Sequence, residues 1–289
     1  MKFSITLVAA ALAIGVTAAQ AGDFRTLATT PPNNVPLVVT AANVNADPMY
    51  LQTQAITRLS NVASGADFHV FTSIDYLAFA RVSGVNQPIA TGTLTLLDYV
   101  YTPNVVFAGS TKPIADLYDF VFRDSRDNTL VFGTRVRMGL TGQDFEAELN
   151  LFYRHGFQDG NTVFSAAAAW MSTGATDLKP TNAGRTASTV LTGAVIYDPD
   201  TVRFQSDINT SEGNPFSGLF LVKTNAASYA KEAGAVGFFQ AGEENQPRIG
   251  NTYFGLVPVA AVPEPSTYVL FGAGLGLIAL AGRRRGSKR

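Results

Sequence analysis

The chain contains no cysteine, two histidines and one tryptophan in 289 residues. The first absence removes disulfides, Cys-based zinc sites and thiol chemistry, so stability has to come from a hydrophobic core. With only His69 and His155 present, a metal site would need carboxylates to complete its ligand set. A surplus of positive charge is missing as well, since 21 Lys and Arg stand against 22 Asp and Glu. Six of those bases (Lys2, Arg283, Arg284, Arg285, Lys288, Arg289) and one acid, Glu264, lie at the two ends, leaving 15 basic against 21 acidic residues between them. A mildly acidic body lacks the cationic patch that nucleic acid or an anionic lipid surface requires, so nucleic acid is not an expected partner. Helix-forming stretches are scarce, which argues against α/β architectures.

What is present is clearest at the ends. Lys2 supplies a positive start, Phe3 to Val16 an apolar run, and Ala19-Gln20-Ala21 a small-x-small site, the pattern of a secretory signal peptide cleaved between Ala21 and Gly22. The general secretion machinery is therefore an expected partner. At the other end Pro263-Glu264-Pro265 precedes an uncharged apolar stretch, Tyr268 to Gly282, and then Arg283-Arg284-Arg285. As a helix, that apolar stretch spans roughly 22 Å, short of the roughly 30 Å hydrocarbon core, which suits a transient membrane helix better than a permanent anchor. The arginines act as a stop signal that stays cytoplasmic and leaves the preceding chain on the exported side. Gly272 and Gly276 are spaced as a small-xxx-small face for another membrane helix, but the abundance of glycine in such tails is the plainer explanation.

This ordered tail resembles the PEP-CTERM sorting signal of bacterial exported proteins. The resemblance covers the last 28 residues and implies a route, not an activity. It implies an exosortase-type membrane transpeptidase as partner, passage through an inner-membrane intermediate, and delivery to the cell surface or an extracellular matrix of exopolysaccharide. The expected organisation is a signal peptide (1–21), a connector (22–36), an exported domain (37–257), a linker with the Pro-Glu-Pro motif (258–267), a transmembrane helix (268–282) and a basic tail (283–289).

The central region alternates with period two, the mark of half-buried strands. Phe145, Ala147, Leu149, Leu151 and Tyr153 share one face, with Glu146, Glu148, Asn150 and Arg154 opposite. Leu130, Phe132, Val136 and Met138 alternate with Arg135 and Arg137, and Tyr118, Phe120 and Phe122 alternate with Asp119 and Arg123. Ser125 to Asn128 reads as the turn between those two runs. Further strands are expected at Leu37–Ala41, Leu51–Leu59, Ile74–Val82, Gly92–Tyr101, Thr162–Trp170, Ser188–Tyr197, Thr201–Ile208, Gly218–Lys223, Val236–Gln240 and Thr252–Val257. Ala226 to Ala233 is the one internal helix expected, capped by Asn225 and ended by Gly234. The expected fold is all-β, an antiparallel β-sandwich or jelly-roll-like domain.

Chemistry is thin in this region. Ser, His and Asp are present, but no Gly-x-Ser-x-Gly elbow accompanies them. Three acidic groupings stand out: Asp116, Asp119, Asp124 and Asp127 around the hairpin, Asp198 and Asp200 flanking Pro199, and Glu212, Glu243 and Glu244 in loops. Such loops suit calcium, the one cofactor weighed, but none has the Asp-x-Asp-x-Asp-Gly pattern, and turn formation is the plainer explanation of them. Trp170, among alanines, reads as packed core, and no exposed aromatic platform for sugar is assigned. The expectation is a non-catalytic surface or matrix protein with extracellular polysaccharide as a partner class. The alternatives are a secreted hydrolase acting on polysaccharide through paired carboxylates, or a permanently membrane-anchored surface protein.

Overall fold

The computed structural model describes residues 21–28, 38–82, 85–191, 195–242 and 246–260. In chain order its strands are β1 (Ala21–Gly22), β2 (Arg25–Thr26), β3 (Val38–Val39), β4 (Gln52–Arg58), β5 (Phe71–Val82), β6 (Val85–Val105), β7 (Ala115–Asp124), β8 (Leu130–Arg137), β9 (Glu148–Arg154), β10 (Gln158–Asp159), β11 (Thr162–Val163), β12 (Ala167–Met171), β13 (Asn182–Arg185), β14 (Val202–Asn209), β15 (Leu219–Thr224), β16 (Ser228–Gln240) and β17 (Ile249–Val259). Short 3-10 turns occupy Val44–Ala46 and Ala66–His69. Among the described residues these strands make a nine-stranded sheet, a six-stranded sheet and the β10–β11 hairpin. Every strand pair within them is antiparallel, so the all-β, antiparallel expectation holds.

The larger sheet is a meander, β5-β6-β7-β8, extended through β15 and β12, with β4 on the far side of β5. It departs from an open sandwich layer because its ends meet. The Leu51 amide donates to the Trp170 carbonyl at 2.9 Å, and the Trp170 amide donates to the Met49 carbonyl at 2.8 Å. The neighbouring segments β1 and β2 fasten the same seam, one on β5 and the other on β12. Closure hides edges that would otherwise offer unpaired backbone groups.

Closure also explains why the strands are apolar on both faces. Tyr118, Phe120 and Phe122 point inward, with Phe71, Ile74, Leu94, Leu219, Leu221 and Met171 in the same buried cluster. The alternate residues Phe220, Val222, Trp170, Leu117 and Val136 face the six-stranded sheet and meet Phe152, Phe204, Ile208, Val236 and Phe238. Phe220 lies 5.3 Å from Phe152 and 5.2 Å from Phe204 between ring centroids. Each fully buried side chain of this size stabilises by about 1.5–3 kcal/mol. Trp170 is packed here, as expected, with its indole N–H on Asp47 Oδ2 at 3.2 Å.

Several expectations need correction. Ala226 to Ala233 is not a helix; from Ser228 it belongs to β16 and pairs with β17 from Ser228↔Val259 to Glu232↔Gly255. Tertiary pairing overrides the propensity of Ala, Lys and Glu, and Gly234, at φ +78°, supplies the irregularity where the register shifts rather than a helix end. The described parts of Ser188–Tyr197 carry no strand, because the carbonyls of Ser188 and Val190 accept from Arg203 (2.7 and 2.8 Å) instead of entering a ladder. Thr162–Trp170 divides into β11 and β12. Of the expected connector 22–36, residues 22–28 are part of the fold, with Gly22 and Leu27 buried; 29–36 lie outside the described residues. The linker begins later than expected, since Pro258 pairs with Tyr229 in β17, an edge position that proline tolerates.

The polar faces read from the sequence are not uniformly solvent faces. Arg135 points into the closed sheet, where it is 4% exposed, and Arg154 points between the sheets at 2%. Asp119, on the outward face of β7, is its partner.

Candidate functional site

The six-stranded sheet runs β17-β16-β9-β14-β13-β3, so β17 is an edge strand and the chain leaves the fold from it. Its end borders a cleft of about 310 Å³ lined by His155, Gly156, Asp159, Asp200, Glu232 and Val259. The β10–β11 hairpin carries Asp159 to this point, and the amide of Ala260 lies 3.4 Å from Asp159 Oδ2. Gly156, at φ +88°, lets the chain turn out of β9 directly beneath Val257: a Cβ there would sit 2.7 Å from that side chain.

His155 is held in one tautomer by its neighbours. The Thr201 hydroxyl donates to Asp198 Oδ2 at 2.8 Å, so its oxygen accepts from His155 Nδ1 at 3.0 Å and the imidazole proton resides on Nδ1. Burial pushes the imidazole below its ordinary pKa, against the opposing pull of Asp200 and Asp198. The order is His, Thr, Asp, with the hydroxyl proton committed to the carboxylate. A hydroxyl nucleophile instead requires the imidazole to take its proton. This cluster therefore fixes a loop on a strand and does not activate Thr201.

The acidic groupings separate in space. Asp116 accepts from the Tyr101 hydroxyl at 2.8 Å, Asp124 from Tyr76 (2.8 Å) and Lys223 (2.6 Å), and Asp127 from Lys223 and Thr129. Asp198 accepts from the Asp200 amide at 2.9 Å, a turn closed by its own side chain. Glu212 does join Glu146, Glu148 and Asp207 around a narrow cleft of about 50 Å³; Glu243 and Glu244 lie outside the described residues. Among the described residues no group of three or more His, Asp or Glu side chains is arranged to hold a metal ion. His69 and His155 line different clefts.

Sequence reasoning missed the buried arginines. Arg135, Arg154, Arg185 and Arg203 are each 4% exposed or less. Nothing in a period-two pattern separates a face turned to water from one turned to a second layer.

Beyond Ala260 the chain enters the segment that carries the sorting motif. Residues 261–285 match the PEP-CTERM protein-sorting motif. The tail is a PEP-CTERM sorting signal. This PEP-CTERM signal implies an exported, surface-associated protein and exosortase-type processing machinery as its partner. No curated protein and no solved structure matches the chain. Pro263, Glu264, Pro265, Arg283, Arg284, Arg285 and the apolar run 268–282 lie outside the described residues, as does the stretch before Ala21 expected to be a signal peptide. Among the described residues no helix is long and apolar enough to cross a membrane.

Proposed function

We propose that the protein is a non-catalytic surface or matrix component, brought to the membrane by its tail and released from it by exosortase-type cleavage. One observation carries this reading: the motif begins at residue 261, two positions after β17 ends on the edge of its sheet. A cut beyond that point breaks no strand pairing in the body, so a processed chain keeps its fold. The apolar run 268–282 holds the inner-membrane intermediate, and Arg283 to Arg285 stop its transfer.

The N-terminal end supports the same picture. Gly22 is buried beside Phe79, Asp23 takes both Arg126 nitrogens at 2.7 and 3.0 Å, and Leu27 lies in the core. Cleavage between Ala21 and Gly22 would cut within the two-residue β1 and leave Gly22, Asp23 and Leu27 with the domain. The hydrogen-bond order at His155 disfavours Thr201 as a nucleophile, one route to a catalytic body. Extracellular polysaccharide is the proposed partner class, and calcium at the loop carboxylates is a proposal checked by melting with and without the ion.

The test is cell fractionation of the full chain, a chain ending at Ala260, and a Pro263→Ala, Pro265→Ala variant. The full chain is expected in the surface or matrix fraction, the truncated chain in the medium, and the double variant held at the membrane. Identical distributions would overturn the reading.

A further inference from the structure

A second cleft opens at the end of the closed sheet where β4 and β12 finish and β5 and β15 begin. It has a volume of about 220 Å³ and is lined by Arg58, Phe68, His69, Arg135, Asp177 and Phe216, with threonines at its rim. Mouths of β-barrels are recurrent ligand positions, because a packed wall there meets loops free to carry polar groups. The polar groups at this mouth are unevenly satisfied.

Each nitrogen of the Arg135 guanidinium has a partner: Nη2 donates to Asp177 Oδ1 at 2.9 Å, Nε to the Ser217 carbonyl at 3.3 Å, and Nη1 to His69 Nδ1 at 3.3 Å. A guanidinium only donates, so His69 Nδ1 accepts and the imidazole proton is on Nε2. That N–H is buried and has no partner. The second Asp177 oxygen takes the Thr173 amide at 2.7 Å and its hydroxyl at 2.8 Å, so its acceptor capacity is spent locally. Arg58 is different. It donates only to neutral carbonyls, those of Phe68 (3.0 Å) and Thr173 (2.9 Å), and makes no ion pair among the described residues. Its guanidinium lies 4.3 Å over the Phe68 ring, which fixes its plane. The lining thus holds two guanidiniums and one carboxylate, which Arg135 alone engages, leaving one uncompensated positive charge beside a donor that lacks an acceptor.

We infer that this mouth binds a small organic carboxylate, its oxygens on Arg58 and its body against the half-buried rings of Phe68 and Phe216. A planar guanidinium fork suits a carboxylate, and one excess charge matches a monoanion better than a phosphate dianion. The volume is below the roughly 300–1,000 Å³ of drug-sized sites, which limits the ligand to about one sugar ring. A uronate meets both conditions, as does the uronate unit of an acidic polymer. The inference stands whether or not the tail is processed.

The probes are sodium glucuronate, acetate and glucose, added to the purified exported protein and read by melting temperature and by histidine-selective ¹⁵N NMR. Glucuronate is expected to raise the melting temperature and shift the His69 Nε2 signal, acetate to do so more weakly, and glucose to do neither. Arg58→Gln is expected to weaken glucuronate binding by about tenfold or more, the loss of one charge-assisted contact. Should that variant fail to fold, Arg58→Lys, which keeps the charge but not the fork, is expected to bind several-fold more weakly than the parent, roughly the gap between fork and point charge. An equal response to glucose and glucuronate, no response to either carboxylate, unchanged affinity in the Arg58 variants, or a shift at His155 in place of His69 would each overturn the inference.

Discussion

Arg154 of β9 and Asp119 of β7 form a buried ion pair that ties the six-stranded sheet to the closed one. Around it, Asp119 Oδ2 accepts the Leu256 amide at 2.7 Å, and Arg154 Nη2 donates to the Leu256 carbonyl at 2.8 Å. The pair thereby occupies both backbone groups of one residue on the free edge of β17, the strand from which the tail departs. Burial raises the Asp119 carboxyl above its ordinary range, with Arg154 and the Leu256 amide pulling it back.

Removing one member strands the other charge in the interior. Asp119→Ala and Arg154→Met are each expected to lower unfolding stability by about 3–5 kcal/mol, and the double replacement to recover much of that loss. Urea unfolding of the three variants measures it. A single-variant cost near zero would mean that the pair is hydrated and does not bind the sheets together.

His69 sets an acid limit. Burial, then Arg135, Arg137 and Arg58, push its imidazole from 6.5 down to about 3, so the folded protein keeps it neutral. Between those values the unfolded chain takes up a proton that the folded chain refuses, and stability falls as pH drops through that window. His69→Gln removes this contribution, so the melting-temperature advantage of the parent over the variant is expected to shrink from pH 7 to pH 4. Asp47 and Asp119, both raised by burial, act with the opposite sign but are common to both proteins and leave the difference intact. A difference independent of pH would contradict the assignment.

Gly156 is required where the chain turns past Val257. Gly156→Ala places a Cβ 2.7 Å from that side chain at a φ of +88° and is expected to cost about 1–3 kcal/mol. Gly65→Ala is the control, since φ is −94° there and the nearest atom is 3.6 Å away. Thermal unfolding of both separates a strained turn from a general intolerance of alanine.

The parts legible in the sequence are those written linearly. The Pro-Glu-Pro, apolar and arginine segments stand in order along 261–285, and alternation in β7 and β8 places Tyr118, Phe120 and Phe122 correctly on one face. What covers each face is not local information: Arg135 and Arg137 look like a wetted face until β4 and β12 meet and close the sheet. Ala226 to Ala233 has helical composition, but its partner Gly255 to Val259 lies far along the chain. The cleft at the sheet mouth draws Arg58, His69, Arg135, Asp177 and Phe216 from five separate segments, so no motif could announce it.

Processing of the tail is tested most directly by the intact mass of the exported protein, isolated from hosts with and without the exosortase-type enzyme. The predicted mass with the enzyme lacks the signal peptide through Ala21 and everything from the sorting motif to Arg289, while the host without it retains the basic terminus. An Arg289 terminus in both hosts would contradict the account.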